Sequence, residues 1–301
     1  MFTPAALVLI AVCSLSWSAY DLTRKLLVDR MRPTPLLLLL TAGQAPLLLG
    51  WAAVDGLAAP RPGYLAPAAV SVVLNLIANL AFIHAFKVAP ISVTIPLLSL
   101  TPVFTTVFAV PLLGELPSAM QWTGILLVVG GAILINLRRG PEDAGAPDSD
   151  PTSGGALRRV LRHQRGVLLM VVVAVCWSLA SPFDKLAMEA ASPLLHGFVL
   201  CAGVAAGVFV ILARQRRVGE ARQIARAPWV FALALVLSGF ALVFQLLAIR
   251  IVWVSLVETL KRGFGNVAAL AYGRFLFGEP LTAAKVAGVA MITAGVALTL
   301  R

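Results

Sequence analysis

Long, nearly uninterrupted apolar runs dominate the chain. They recur near residues 4–22, 35–54, 64–86, 91–113, 118–137, 166–186, 194–213, 228–249, 253–277 and 281–300. Each approaches the roughly 20 residues an α-helix needs to cross a bilayer's hydrocarbon core. The apolar–polar alternation of barrel strands is absent, so the runs read as helices. The polar breaks between runs are short, with one exception. Residues 138–165 combine Gly, Pro, Ser and Asp with six Arg, a composition that reads as a flexible linker. The pattern predicts an all-α integral membrane protein of ten transmembrane helices. Five fall in 1–137 and five in 166–301, with the linker 138–165 between them.

Composition agrees and narrows the choice. Of 301 residues, 60% are hydrophobic and only 12% are charged. A soluble domain is about 45–50% apolar and about 25% charged, so an ordinary soluble enzyme is excluded. A disordered chain is excluded too, because it would need low hydrophobicity and high charge. The net charge of +11 would suggest nucleic acid in a soluble protein. In a membrane protein it reads as basic connections beside an anionic face, and no nucleic-acid partner is expected. Cys13, Cys176 and Cys201 all lie in apolar stretches, without the spacing of a disulfide framework or a zinc site. No Lys or Arg precedes Arg24, so the first apolar run reads as a span rather than a signal peptide.

The central linker prompts a search for an internal repeat. Trp17-Ser18 is followed, eight residues after the Trp, by Lys25-Leu26; Trp177-Ser178 is followed at the same distance by Lys185-Leu186. Later in each half stands Gly114-Glu115-Leu116-Pro117 against Gly278-Glu279-Pro280-Leu281. Gly124 and Gly131 then match Gly288 and Gly295 at an offset of 164. An odd number of spans per copy forces the copies into opposite orientations. The expected architecture is therefore two inverted five-helix repeats, with a site between them near the midplane.

With these paired motifs the chain resembles the EamA family of the drug/metabolite transporter superfamily. The resemblance covers both halves and omits only the linker. It implies a ten-helix transporter whose central cavity is lined mainly by helices 1, 3, 4, 6, 8 and 9. The family includes amino-acid exporters, metabolite and sugar-related carriers, and flippases for lipid-linked sugars, so membership implies no single substrate. The expected location is a prokaryotic inner membrane, as a monomer or homodimer without a cofactor.

Orientation is read from charge. Let side A hold the connections 1–2, 3–4, 5–6, 7–8 and 9–10, and side B the others and both termini. Side A carries 16 of the 24 Lys and Arg, and side B carries Arg61, Arg250 and Arg301. The positive-inside rule places side A in the cytoplasm. The family resemblance implies the reverse.

Ionisable groups within spans are costly and mark function or a partner. The densest set is in helix 9: Glu258, Lys261 and Arg262, with Arg274 further on. Glu258 and Arg262 are i,i+4 and are expected to pair, with Lys261 beside them. The first-half equivalents are Thr94, Leu97 and Leu98, so the fold is duplicated and the charge is not. That asymmetry suits one end of an asymmetric ligand: Lys261 and Arg262 would hold a carboxylate or phosphate, with Glu258 orienting Arg262. The bland alternative is a salt-bridged packing pair with Lys261 reaching an interface. Lys25 and Lys185 read either as cavity gates or as interfacial anchors. Asn79 and Gln245 read as cavity polar groups or as interhelical glue. Asp21 and Glu258 are the candidate proton carriers. Pro96 and Pro102 in helix 4, and Gly263 and Gly265 in helix 9, read as points of bending or as fixed kinks.

No phosphate-binding Gly-Lys-Ser/Thr loop, zinc helix motif or nucleophile elbow is present, and the acids are scattered. The chain is expected to be no enzyme and to hold no metal. The function expected is secondary transport of a small organic solute bearing an anionic group. The alternatives are a flippase for a phosphate-bearing lipid, and a membrane-embedded enzyme or scaffold.

Overall fold

The computed structural model describes residues 3–28, 30–54, 56, 58–88, 98–137, 153–277 and 282–300. Side chains are described for these except at 25, 83, 86–88, 136–137, 153–164, 223–226, 269, 272–273 and 276–277. The described residues form ten α-helices and one 3₁₀ segment, and no strand. The helices are α1 (Pro4–Val28), α2 (Pro33–Val54), α3 (Leu65–Val88), α4 (Thr101–Leu113), α5 (Ala119–Leu137), α6 (Ser153–Met188), α7 (Pro193–Arg214), α8 (Pro228–Ile251), α9 (Val254–Phe277) and α10 (Ala283–Thr299). The 3₁₀ segment, Val218–Arg226, lies between α7 and α8.

Local chemistry sets several helix ends. Ser192 accepts a hydrogen bond from the Leu195 N–H, with Pro193 following in the first turn. Thr282 caps α10 in the same way through Lys285 N–H. Gly114, at φ +67°, closes α4 by donating its N–H to the Val110 carbonyl.

Six helices are long and apolar enough to cross a membrane: α1, α2, Leu65–Phe82 of α3, Arg165–Met188 of α6, α7 and α8. Thr101–Leu113, Ala119–Ile135 and Ala283–Thr299 are apolar but shorter. The charged α9 is in neither set. Half or more of each long apolar stretch is turned away from the protein interior. Val54, Leu65, Trp229 and Phe275 are each at least 80% exposed. Apolar surface on that scale belongs in hydrocarbon, not water.

The strongest packing pairs are α5 with α10, α3 with α6, α1 with α8, α2 with α7, α4 with α6 and α1 with α9. Every pair joins one half of the chain to the other. Exchanging each helix with the one five places along maps the set onto itself. The α5–α10 crossing shows the detail. A Cβ on Gly124 would lie 2.7 Å from the Gly295 carbonyl oxygen, and one on Gly131 would lie 2.6 Å from that of Gly288. Only glycine lets the two backbones come this close. The contacts rise along one helix as they fall along the other, so α5 and α10 run antiparallel.

One boundary differs from expectation. α6 starts at Ser153, so residues 153–165 of the expected linker are helical. The physical reason is legible afterwards: Leu157, Val160 and Leu161 recur at helical spacing among the arginines. Residues 138–152 lie outside the described residues.

Candidate functional site

The charged group of α9 is buried in the bundle, but it pairs differently than its spacing suggests. Glu258 is 2% exposed and bonds Lys261, whose Nζ lies 2.5 Å from its Oε1. The expected Glu258–Arg262 pairing is therefore replaced by an i,i+3 pair. Lys261 also donates to Gln245 Oε1 on α8 at 3.2 Å, and its ammonium lies 6.0 Å from the Trp17 ring centre on α1. One cation is thus held by an acid, an amide and an aromatic face. Gln245 meets the cluster through this bond.

Arg262 is left over. Its guanidinium makes a long 3.5 Å contact to Thr101 Oγ1 on α4, and its Nε is buried without a hydrogen-bond partner. A guanidinium offers five donors, and a buried unmet one is costly. The Trp17 indole nitrogen is likewise buried and unpartnered. Two orphan donors therefore lie beside the fully engaged Lys261.

At the end of the bundle carrying the even-numbered connections, a second acid ties the halves together. Glu115, 4% exposed, accepts from Lys185 Nζ at 2.8 Å and from the Val254 N–H at 2.7 Å. Lys185 also donates to the Val252 carbonyl at 3.0 Å. Lys185 thus ties α6 to the α4–α5 connection and to the residue before α9. Lys25 lies on α1, but its side chain is outside those described.

Asn79 does not join the α9 cluster. It bonds the Asn75 carbonyl and lines a separate small pocket with Tyr20, Arg24, Val28, Leu36 and Leu40. Arg24 lies 4.2 Å from the Phe82 ring centre and pairs with Asp21 at 2.8 Å. Asp21 is exposed, with 57% of its side chain accessible. Pro102 stands in the first turn of α4, where a missing N–H breaks no helical bond, so in the described residues it starts a helix rather than bending one. Pro96 lies outside the described residues. Gly263 packs against Val296 and Ile292 of α10, whereas a side chain at Gly265 would enter open space. No three His, Cys, Asp or Glu side chains converge among the described residues.

The family model described as "EamA-like transporter family" matches residues 4–137 and 164–301. The chain belongs to this family. The EamA-like chain is thus a membrane transporter by family, which accords with its apolar helices. No curated protein matches it. A solved crystal structure of a protein shares its fold with a TM-score of 0.71 over 98% of each chain, at 16% identity.

Two parts of this EamA-like transporter's polar interior escaped the sequence reading. Glu115 appeared only as half of a repeated Gly-Glu step, though an acid repeated at a helix end was itself a signal. The second is a buried group of Asp184, His196, Tyr64 and Ser71. Its members are up to 132 residues apart, and no local spacing links them.

Proposed function

We propose that the chain is a secondary carrier of ten transmembrane helices, built from two inverted five-helix repeats. It moves a small organic solute bearing a carboxylate or phosphate by alternating access. The proposed setting is a prokaryotic inner membrane. The exchange-invariant packing pairs and the antiparallel glycine crossing of α5 and α10 support the inverted architecture. The observation that carries the substrate class is the buried, unpartnered Nε of Arg262 beside the Lys261–Glu258 pair. An incoming anion supplies what that donor lacks. It also leaves Lys261 in place as a second positive charge.

In the mechanism proposed, Arg262 binds the anionic end, Lys261 adds potential, and Gln245 and Trp17 shape the wall. The Glu115–Lys185 latch closes the side B end while the solute is bound from the other. α9 bends at Gly265 when access alternates, because nothing packs where its side chain would be. No sodium site is part of this scheme.

The test is a thermal-shift screen of the purified protein against small carboxylates, inorganic phosphate, sugar phosphates and short-chain phospholipids. Stabilisation by soluble anions, absent in Arg262→Ala, supports the reading. Stabilisation by phospholipid alone would point instead to a lipid flippase, and chemical turnover of an added compound to an enzyme.

A further inference from the structure

Asp21 and Arg24 form a charged pair late in α1, and the face they occupy decides what they meet. Val8, Leu15 and Leu26 are exposed and share one face of α1, because steps of seven and eleven residues both return nearly to the same angle. Asp21 lies about 120° round the helix from Leu15 and only about 40° from Trp17. Trp17 sits beside Lys261 in the bundle. Asp21 is thus turned inward, yet 57% of its side chain is accessible. An exposed charge on an inward face belongs in a water-filled cavity, since hydrocarbon makes it costly. The charges of Glu258 and Asp21 both act on Arg262.

Arg24 is placed mainly by aromatic rings. Its guanidinium meets Asp21 Oδ1 at 2.8 Å, and lies 4.2 Å from the Phe82 ring centre and 5.3 Å from that of Tyr20. Phe82 in turn packs on Trp177 of α6, with 5.3 Å between ring centres. Rings position a cation through their faces and take none of its hydrogen-bond donors. The pocket beside Arg24, about 280 Å³ with its open mouth, adds Asn79 as a polar group and Val28, Leu36 and Leu40 as an apolar wall. Trp17, next to Lys261, and Tyr20, next to Arg24, meet edge to face at 5.7 Å. Arg24 stands about 10 Å nearer side A than Trp17, seven residues along the helix. Two cations therefore flank one pair of rings, one deep in the bundle and one toward its side A mouth.

We propose that Arg24 is a second anion-binding station of this carrier, at the side A mouth of its cavity, and that Asp21 is a built-in competitor that occupies it when no solute is bound. The ligand is the carboxylate or phosphate of an organic solute, whose remainder lies on the aliphatic wall of the pocket. It displaces Asp21 from Arg24 and passes over Trp17 to Arg262. Asp21 keeps the affinity of the outer station low, so the solute is caught there and not trapped. The hand-over rests on the anion reading of Arg262.

The cavity position is tested without a ligand. Asp21→Cys and Leu15→Cys are each treated with a membrane-impermeant charged thiosulfonate on the full chain in nanodiscs, with the wild type and its buried native cysteines as background. Asp21→Cys should react at least about tenfold faster, because the attacking thiolate needs water. Equal rates overturn the proposal. Binding is then measured by calorimetric titration with hexanoate and with inorganic phosphate. Asp21→Asn should bind about two- to fivefold more tightly, the release of one exposed ion pair. Arg24→Gln should weaken binding and, combined with Asp21→Asn, erase that gain. Arg24→Lys, which keeps the charge but loses the planar fork, replaces it if Arg24→Gln fails to fold, and should shrink the gain. A gain undiminished in the Arg24 variant means that Asp21 acts on Arg262 alone, and overturns the proposal. Binding lost in Arg262→Ala but indifferent to Asp21→Asn overturns it too, and spares the anion site. Binding that survives Arg262→Ala and still responds to Asp21→Asn supports the Arg24 station and overturns the anion reading of Arg262. A wild type that binds neither probe overturns the station, whatever the screen shows for Arg262.

Discussion

Arg262 and Lys261 are neighbours with opposite predicted costs. Lys261 satisfies the buried Glu258, so Lys261→Ala strands a carboxylate and should destabilise the protein by about 3–5 kcal/mol. Adding Glu258→Gln should restore most of that stability without restoring transport. Arg262 satisfies no acid, so Arg262→Ala should leave stability unchanged or raised while weakening anion binding about 10–100-fold, the loss of one charged hydrogen bond. Urea or thermal unfolding in detergent beside a binding isotherm separates the two effects. The sequence located this cluster but mispaired it. Spacing places both Lys261 and Arg262 within reach of Glu258, and only the surroundings on α1 and α8 decide which one it takes.

At the scale of elements, the α5–α10 crossing and α9 make contrasting predictions. Gly131→Val forces a side chain against the Gly288 backbone and should cost about 1–3 kcal/mol or more, read as a lowered Tm. Gly265→Ala meets no neighbour, so its Tm should stay near that of the wild type. If α9 bends there during transport, the same change slows flux several-fold; unchanged flux removes Gly265 from the mechanism. The repeated glycines were legible as a pattern, and their pairing of 124 with 295 and 131 with 288 was not, because contacts between distant helices leave no mark in local spacing. The start of α6 at Ser153 was missed for the opposite reason: its arginine-rich composition hid a helical period.

For the whole molecule, the apolar pattern conveyed an all-α fold, with ten helices among the described residues and six of them long and apolar enough to cross a bilayer. The ties that close its ends were not legible. At the side A end, Glu220 bonds Arg32 and Arg217, joining the α1–α2 and α7–α8 connections. The Arg217 hydrogen bond, and then the charges of Arg217 and Arg32, hold this surface carboxyl below its usual range. A depressed acid keeps its tie above the ordinary carboxylate range and loses it as pH falls through the lowered value. Trypsin cleavage within 214–226 should therefore be faster in Glu220→Gln than in the wild type near neutral pH; equal rates would show that the tie does not restrain the loop. The basic connections on side A predict that a reporter active only in the cytoplasm stays silent when fused after Arg301. An active reporter reverses the orientation.

We propose that this EamA-like carrier binds an anion at Arg262 and moves it. Its most direct test is uptake into proteoliposomes of whichever soluble anion most raises the Tm of the wild type. Uptake by the wild type should be saturable, and at least about tenfold reduced in Arg262→Ala at equal protein incorporation. Undiminished uptake by that variant, or conversion of the compound without its transfer, would contradict it.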